Sequence, residues 1–158
     1  MKTLFDCTLN GSTLSSLDAS IAVTDIRESL LLKGNQRDSI AVDVRLCIHE
    51  KEPALRRSVM SKIILWASQG GNLNISDRPG QQLAVSCVQL PEMSASDWTA
   101  ELTLRFTSAQ APWWESSTPI TISGSGTLTV DVPGNAPTTT AEVILVNTGT
   151  EVDRKSVV

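Results

Sequence analysis

The stretch Asp97–Glu115, DWTAELTLRFTSAQAPWWE, decides the fold. Trp98, Ala100, Leu102, Leu104 and Phe106 alternate with Thr99, Glu101, Thr103, Arg105 and Thr107. Successive side chains on a strand point to opposite faces, so this is one strand with a buried face and a wet face. Trp98, Leu102, Leu104 and Phe106 are its expected core anchors. The strand runs into Pro112 and two adjacent tryptophans, Trp113 and Trp114. In extended chain their rings point to opposite faces. Both can plug the ends of a core, one can anchor a protein interface, where Trp is enriched, or one can offer a platform for a sugar.

Upstream, Ile40, Val42, Val44, Leu46 and Ile48 alternate in the same way. Pro53 follows at a good first helical position, after the acidic run His49–Glu50–Lys51–Glu52. Leu55, Val59, Ile63 and Trp66 then recur at helical spacing, with Arg56, Arg57 and Lys62 on the expected wet side. Gly70–Gly71 ends this helix, Pro53–Gln69. Ile63 and Trp66 are expected to anchor it on a sheet. Shorter strands are expected at Leu4–Leu9, Ser20–Ile26, Asn72–Ser76 and Gln82–Leu90, with Asn10–Gly11 as a hairpin turn. Leu30, Leu31 and Leu32 sit between Arg27 and the Gly34–Asn35 turn. Three consecutive apolar side chains do not fit one buried face. They form either an internal strand covered on both faces or a reaching hairpin that buries itself on a neighbour, with Lys33 at its tip and Arg27, Glu28 and Arg37 as a charged rim.

Beyond Trp114 the composition shifts to Ser, Thr, Gly and Pro. Residues 1–117 are expected to form one β-sandwich carrying the helix at 53–69. Residues 118–158 are expected to add a hairpin, Ile120–Ser123 with Thr127–Val132, and a linker-like segment. The expected fold class is mainly β, sandwich- or barrel-like, with one flanking α-helix.

The 158 residues carry a net charge of −4, and no basic stripe of the kind that supplies phosphate contacts is present. Cys7, Cys47 and Cys87 are odd in number and widely spaced, which fits neither a disulfide framework nor a zinc site. The start has no apolar stretch long enough for a signal peptide, and no run approaches the ~20 residues of a membrane span. A reducing cytoplasm is the expected folding compartment. The single histidine, His49, has no Ser or Cys motif tied to it. No nucleophile elbow, phosphate loop or HExxH occurs. Asp43 and Glu101 are the acids that neighbouring strands could bring together, although polar faces routinely carry such charges. No enzyme, metal or cofactor is expected.

The order of elements resembles the distal tail proteins of long-tailed phages. The resemblance rests on the N-terminal strands with Asn10–Gly11, the basic loop Lys33–Arg37 and the Ile40–Ile48 strand. It rests also on the Pro53–Gln69 helix with Gly70–Gly71, on Asp77–Arg78–Pro79–Gly80, and above all on Phe106–Thr107–Ser108–Ala109 followed by Pro112–Trp113. Ile120–Gly124 and Pro133–Gly134–Asn135–Ala136–Pro137 look like the start of that family's second, galectin-like domain, here incomplete. The resemblance implies a structural virion protein, a hexameric ring joining tail tube to tail tip, placed in the virion tail and assembled in the host cytoplasm. It implies further copies of itself, the major tail protein and the tail-hub protein as partners, with no sequence-specific nucleic acid and no membrane. Leu30, Leu31, Leu32, Lys33, Trp113 and Trp114 are the candidate interface residues. A monomeric carbohydrate-binding β-sandwich and a tail-tube or tail-completion protein are the alternatives.

Overall fold

The computed structural model describes residues 5–89 and 100–129. The chain divides into two compact units, Met1–Ser123 and Gly124–Val158, and of the second only residues 124–129 are described. The first unit is mainly β with one flanking helix, in the sandwich- or barrel-like class.

Its strands are β1 (Cys7–Leu9), β2 (Ser12–Thr13), β3 (Ile21–Lys33), β4 (Gln36–Ile48), β5 (Gly71–Ile75), β6 (Gln81–Gln89), β7 (Ala100–Ser108) and β8 (Glu115–Ser116). The helix α1 spans Pro53–Ser68. The strands pair antiparallel in the order β2-β1-β5-β6-β7-β4-β3, and β8 pairs with β6. One apolar cluster takes residues from β1, next to one end of that order, and from β3, at the other end, so the sheet curls around its core.

Opposed residues on paired strands share a face. Val42 lies opposite Phe106, Val44 opposite Leu104 and Leu46 opposite Leu102, and all six are buried. Trp66 meets Phe106 edge to face, with ring centroids 6.1 Å apart. Its indole N–H donates to the Ser12 carbonyl at 2.9 Å, so the polar end of the ring is satisfied in the core. Ile63 is fully buried beside it. Trp98 lies outside the described residues.

Two turns fix registers. Asn10 and Gly11 both have positive φ, the type I′ pattern that suits a two-residue hairpin. The Asn10 side chain then donates to the Gly70 carbonyl and accepts from the Asn72 N–H, tying β1 to the end of the helix. At the other hairpin Gly34 alone has positive φ, the type II′ pattern with Gly first.

Three expectations are corrected. On α1 it is Leu55 that is exposed and Arg56 that is buried. At about 100° per residue, the mean direction of Val59, Met60, Ile63, Trp66 and Ala67 lies ~20° from Arg56 and ~80° from Leu55. Phase, not residue type, places the guanidinium inside. Residues 120–123 and 127–129 are not strands; a lone two-stranded hairpin has too little to bury, and residues 130–132 of the expected partner lie outside the described set. Asp43 and Glu101 do not meet: Asp43 faces Arg105, and Glu101 faces Cys47.

Candidate functional site

The β3–β4 hairpin has two strands of 13 residues each, but β7 accompanies β4 only from Ile48 back to Ala41. There Ser108 ends the shared ladder, its hydroxyl accepting the Ile40 N–H at 3.0 Å. Among the described residues β3 and β4 continue alone beyond that point as an arm, reaching roughly 15 Å farther at about 3.3 Å per residue. The two strands also bulge at Thr24, between the Val23 and Asp25 rungs, and at Asp38, opposite the Leu31–Leu32 step. The Thr24 bulge rephases β3, so that Ile26, Glu28, Leu30 and Leu32 follow one another on the inward face.

Leu30, Leu31 and Leu32 are 46%, 44% and 61% exposed. The reading of an internal strand covered on both faces therefore does not hold within this chain. Leu30 lies opposite buried Ile40, so Leu30 and Leu32 extend the inner apolar face past the body, while Leu31 looks outward opposite Ser39. Lys33 is exposed at the tip, opposite Gln36.

At the base of the arm three distant segments converge. Glu28 lies opposite buried Val42, on the same face of β3 as Leu30, and is itself exposed. Its carboxylate accepts from Arg78 Nε at 2.6 Å and from the Trp114 indole N–H at 2.9 Å. The Arg78 guanidinium stands over the Trp114 ring, 5.2 Å from its centroid, and also donates to Gln81 Oε1. The bond to Glu28 raises the Arg78 pKa. Each contact alone is modest, about 0–1 kcal/mol for a partly exposed ion pair and ~0.5–1 kcal/mol for an exposed cation–π contact.

The excursion that carries the tryptophans explains how Trp114 arrives there. The Ala109 N–H donates to the Ala84 carbonyl, and β8 rejoins the same side of β6 at Gln82 and Gln81. Residues 110–114 leave the ladder between those points, and Pro112 has no N–H to keep them in it. Trp113 and Trp114 are both half-buried, and Trp114 packs against the core. With a guanidinium over its ring, Trp114 does not present the open face that a sugar platform needs.

Glu28 and Arg78 as a site escaped sequence reading. The partners stand 50 and 86 residues from Glu28, and no local pattern links them. Two ion pairs elsewhere join distant segments of the chain. Arg105 clasps Asp43 through two bonds of 2.6 and 2.7 Å and holds its carboxyl below the usual range. Lys62 bonds Asp18 at 2.8 Å and, with the Ser20 N–H and hydroxyl, brings its pKa down to about 2. Burial pushes the thiols of Cys7, Cys47 and Cys87 up, away from nucleophilic thiolate. His49 is exposed, and its backbone N–H donates to Ser20. Among the described residues no group of three or more His, Cys, Asp and Glu is placed to hold a metal ion, and no helix is long and apolar enough to cross a membrane.

No protein-family model matches the chain, and no curated protein does. Among solved structures it is similar to the Dit protein of SPP1, described as a paradigm of the hub adsorption apparatus in Gram-positive-infecting phages. The match covers 72% of this chain and 53% of that one, at 13% identity and a TM-score of 0.53. This chain thus spans about half the length of that protein. At such low identity the two share a fold over the aligned part, a partial structural match to a phage distal-tail protein.

Proposed function

We propose that this chain is a structural phage tail protein whose copies close into a ring, hexameric as the resemblance implies, between the tail tube and the tail hub. The observation that carries the reading is the arm: three leucines on a projecting ribbon, each left 44% to 61% exposed. A ribbon with exposed leucines and two open edges is an aggregation hazard in a monomer. A cyclic assembly removes it, because a head-to-tail contact that closes gives every arm a neighbour. Each leucine so buried contributes ~1.5–3 kcal/mol before the costs of association. The similarity to a phage hub protein supports the same reading. The major tail protein and the tail-hub protein are the axial partners, the virion tail is the destination, and the host cytoplasm is the place of assembly. The net charge of −4 suits a conduit that DNA crosses without phosphate contacts.

Light scattering across protein concentration tests this. The expected mass is near six times the 17.0 kDa of one chain. Leu31→Asp should give a monomer with unchanged circular dichroism and no ring. A variant that still closes rings overturns the arm contact. A wild-type chain that stays monomeric at every concentration overturns the ring, and open-ended filaments assign the chain to a tail tube instead.

A further inference from the structure

We infer that Glu28, Arg78 and Trp114 form a brace that fixes the direction of the arm relative to the body. The functional consequence, an arm held ready for the neighbouring copy, rests on the ring proposed above; the brace itself does not.

The argument begins with what the arm lacks. Among the described residues no strand flanks β4 past Ser108, and β3 ends the strand order. A two-stranded ribbon with no third strand among the described residues is marginal and free to twist about its root. The brace sits at that root. Glu28 lies on β3 two rungs below the first exposed inward leucine, Leu30, and opposite Val42, which is fully buried.

Its two partners come from elements that do not belong to the hairpin. Arg78 lies in the β5–β6 turn and Trp114 in the excursion between β7 and β8. Both carboxylate oxygens are used, one by each partner. Arg78 and Trp114 also touch each other, and Gln81 on β6 holds a second nitrogen of Arg78. Three mutual contacts among three groups form a triangle, and a triangle resists displacement in more directions than one ion pair does. Trp114 is itself seated against the core, so the triangle is referenced to the body. The ion pair of Arg27 with Asp25 offers a contrast. It has a similar length, 2.7 Å, but joins two residues of one strand and cannot orient the arm.

Hydrogen exchange on the full chain, read residue by residue, tests the brace. Glu28→Ala and Arg78→Ala should each speed exchange of the arm amides at 29–33 and 36–40 by about tenfold, the change in local opening that follows loss of a charge-assisted bond. Amides at 44–48 should keep their wild-type rates. The double variant should exchange no faster in the arm than Glu28→Ala alone, because loss of Glu28 already severs both bonds that tie the arm to the body. Trp114→Phe, which loses the N–H donor and keeps a ring, should move the same amides by less, and Arg27→Ala should move none. The brace is overturned if the wild-type arm amides are unprotected, if the single variants leave them unchanged, if acceleration spreads evenly over the body strands, or if the two substitutions add. Light scattering on the same samples separates the two claims. Rings that form only at higher concentration in Glu28→Ala tie the brace to assembly. A monomeric wild type removes the ring and leaves the exchange result standing.

Discussion

The two halves of the β3–β4 hairpin carry the same backbone ladder and differ in everything beside it. In the root half, Ile21, Val23, Val44, Leu46 and Ile48 are buried, with β7 alongside β4. In the arm, residues 27–38 are exposed without exception, leucines included. Hydrogen bonds between strands do not explain why a chain would place three leucines there, since each such bond adds only ~1 kcal/mol net. Burial explains the root half and leaves the arm unexplained within one chain. That contrast is the physical reason to look to a second copy for the rest of its energy.

The contrast predicts where substitutions hurt. The largest effect belongs to Trp66, whose ring meets Phe106 and whose N–H is satisfied inside. Trp66→Ala should cost ~3–5 kcal/mol by chemical denaturation, as a large-to-small change in a packed core. An unchanged transition would dissolve the distinction between a body that folds itself and an arm that needs a neighbour.

A smaller effect of opposite sign is expected at Arg56. The residue is 4% exposed, and its Nη1 has no hydrogen-bond partner among the described residues. An orphaned buried donor is costly, so Arg56→Met should raise stability by about 1 kcal/mol. A loss of stability on thermal denaturation would mean instead that the guanidinium is paired in the folded chain.

Arg56 also marks how far the sequence could be read. Strands β4 and β7 were legible because large apolar residues recur with period two, from Ile40 to Ile48 and from Leu102 to Phe106, although Ala41 and Cys47 on the other face of β4 are buried as well. The helix was legible as an element, but its phase was not, because a leucine at 55 and an arginine at 56 argue against the wheel that the other five buried residues define. The exposed leucines were legible as a conflict between three apolar residues and one face. The brace was not legible, because it exists only where β7 stops, and nothing in Glu28, Arg78 or Trp114 by itself announces that end.

Acid should weaken the body by a small, screened amount. Asp18 titrates near 2 when folded, below the ~3.9 of an unfolded aspartate. Its contribution is therefore complete above about pH 4 and is lost as the pH falls toward 2. Asp43, held down first by its bonds to Arg105, follows in the same direction. Lys62→Met removes the ammonium bonded to Asp18, so its melting temperature should fall less than that of the wild type between pH 4 and pH 2. An identical fall in both would show that the Asp18–Lys62 pair is not linked to folding.

The smallest effect on stability is expected where the effect on assembly is greatest. Leu30 and Leu32 continue the inner face of the sheet, whereas Leu31 looks outward. None of the three is buried by its own chain, so Leu30→Asp, Leu31→Asp and Leu32→Asp should each shift monomer stability by less than ~0.5 kcal/mol, the range of ordinary surface changes. A neighbour that covers the ribbon meets both of its faces, so all three prevent rings alike, and rings that survive Leu31→Asp overturn the arm contact. Sedimentation beside denaturation reads both quantities on one sample. Unfolding of the monomer by Leu32→Asp, the most exposed of the three, would break the comparison at its root, because it would make the arm part of the body.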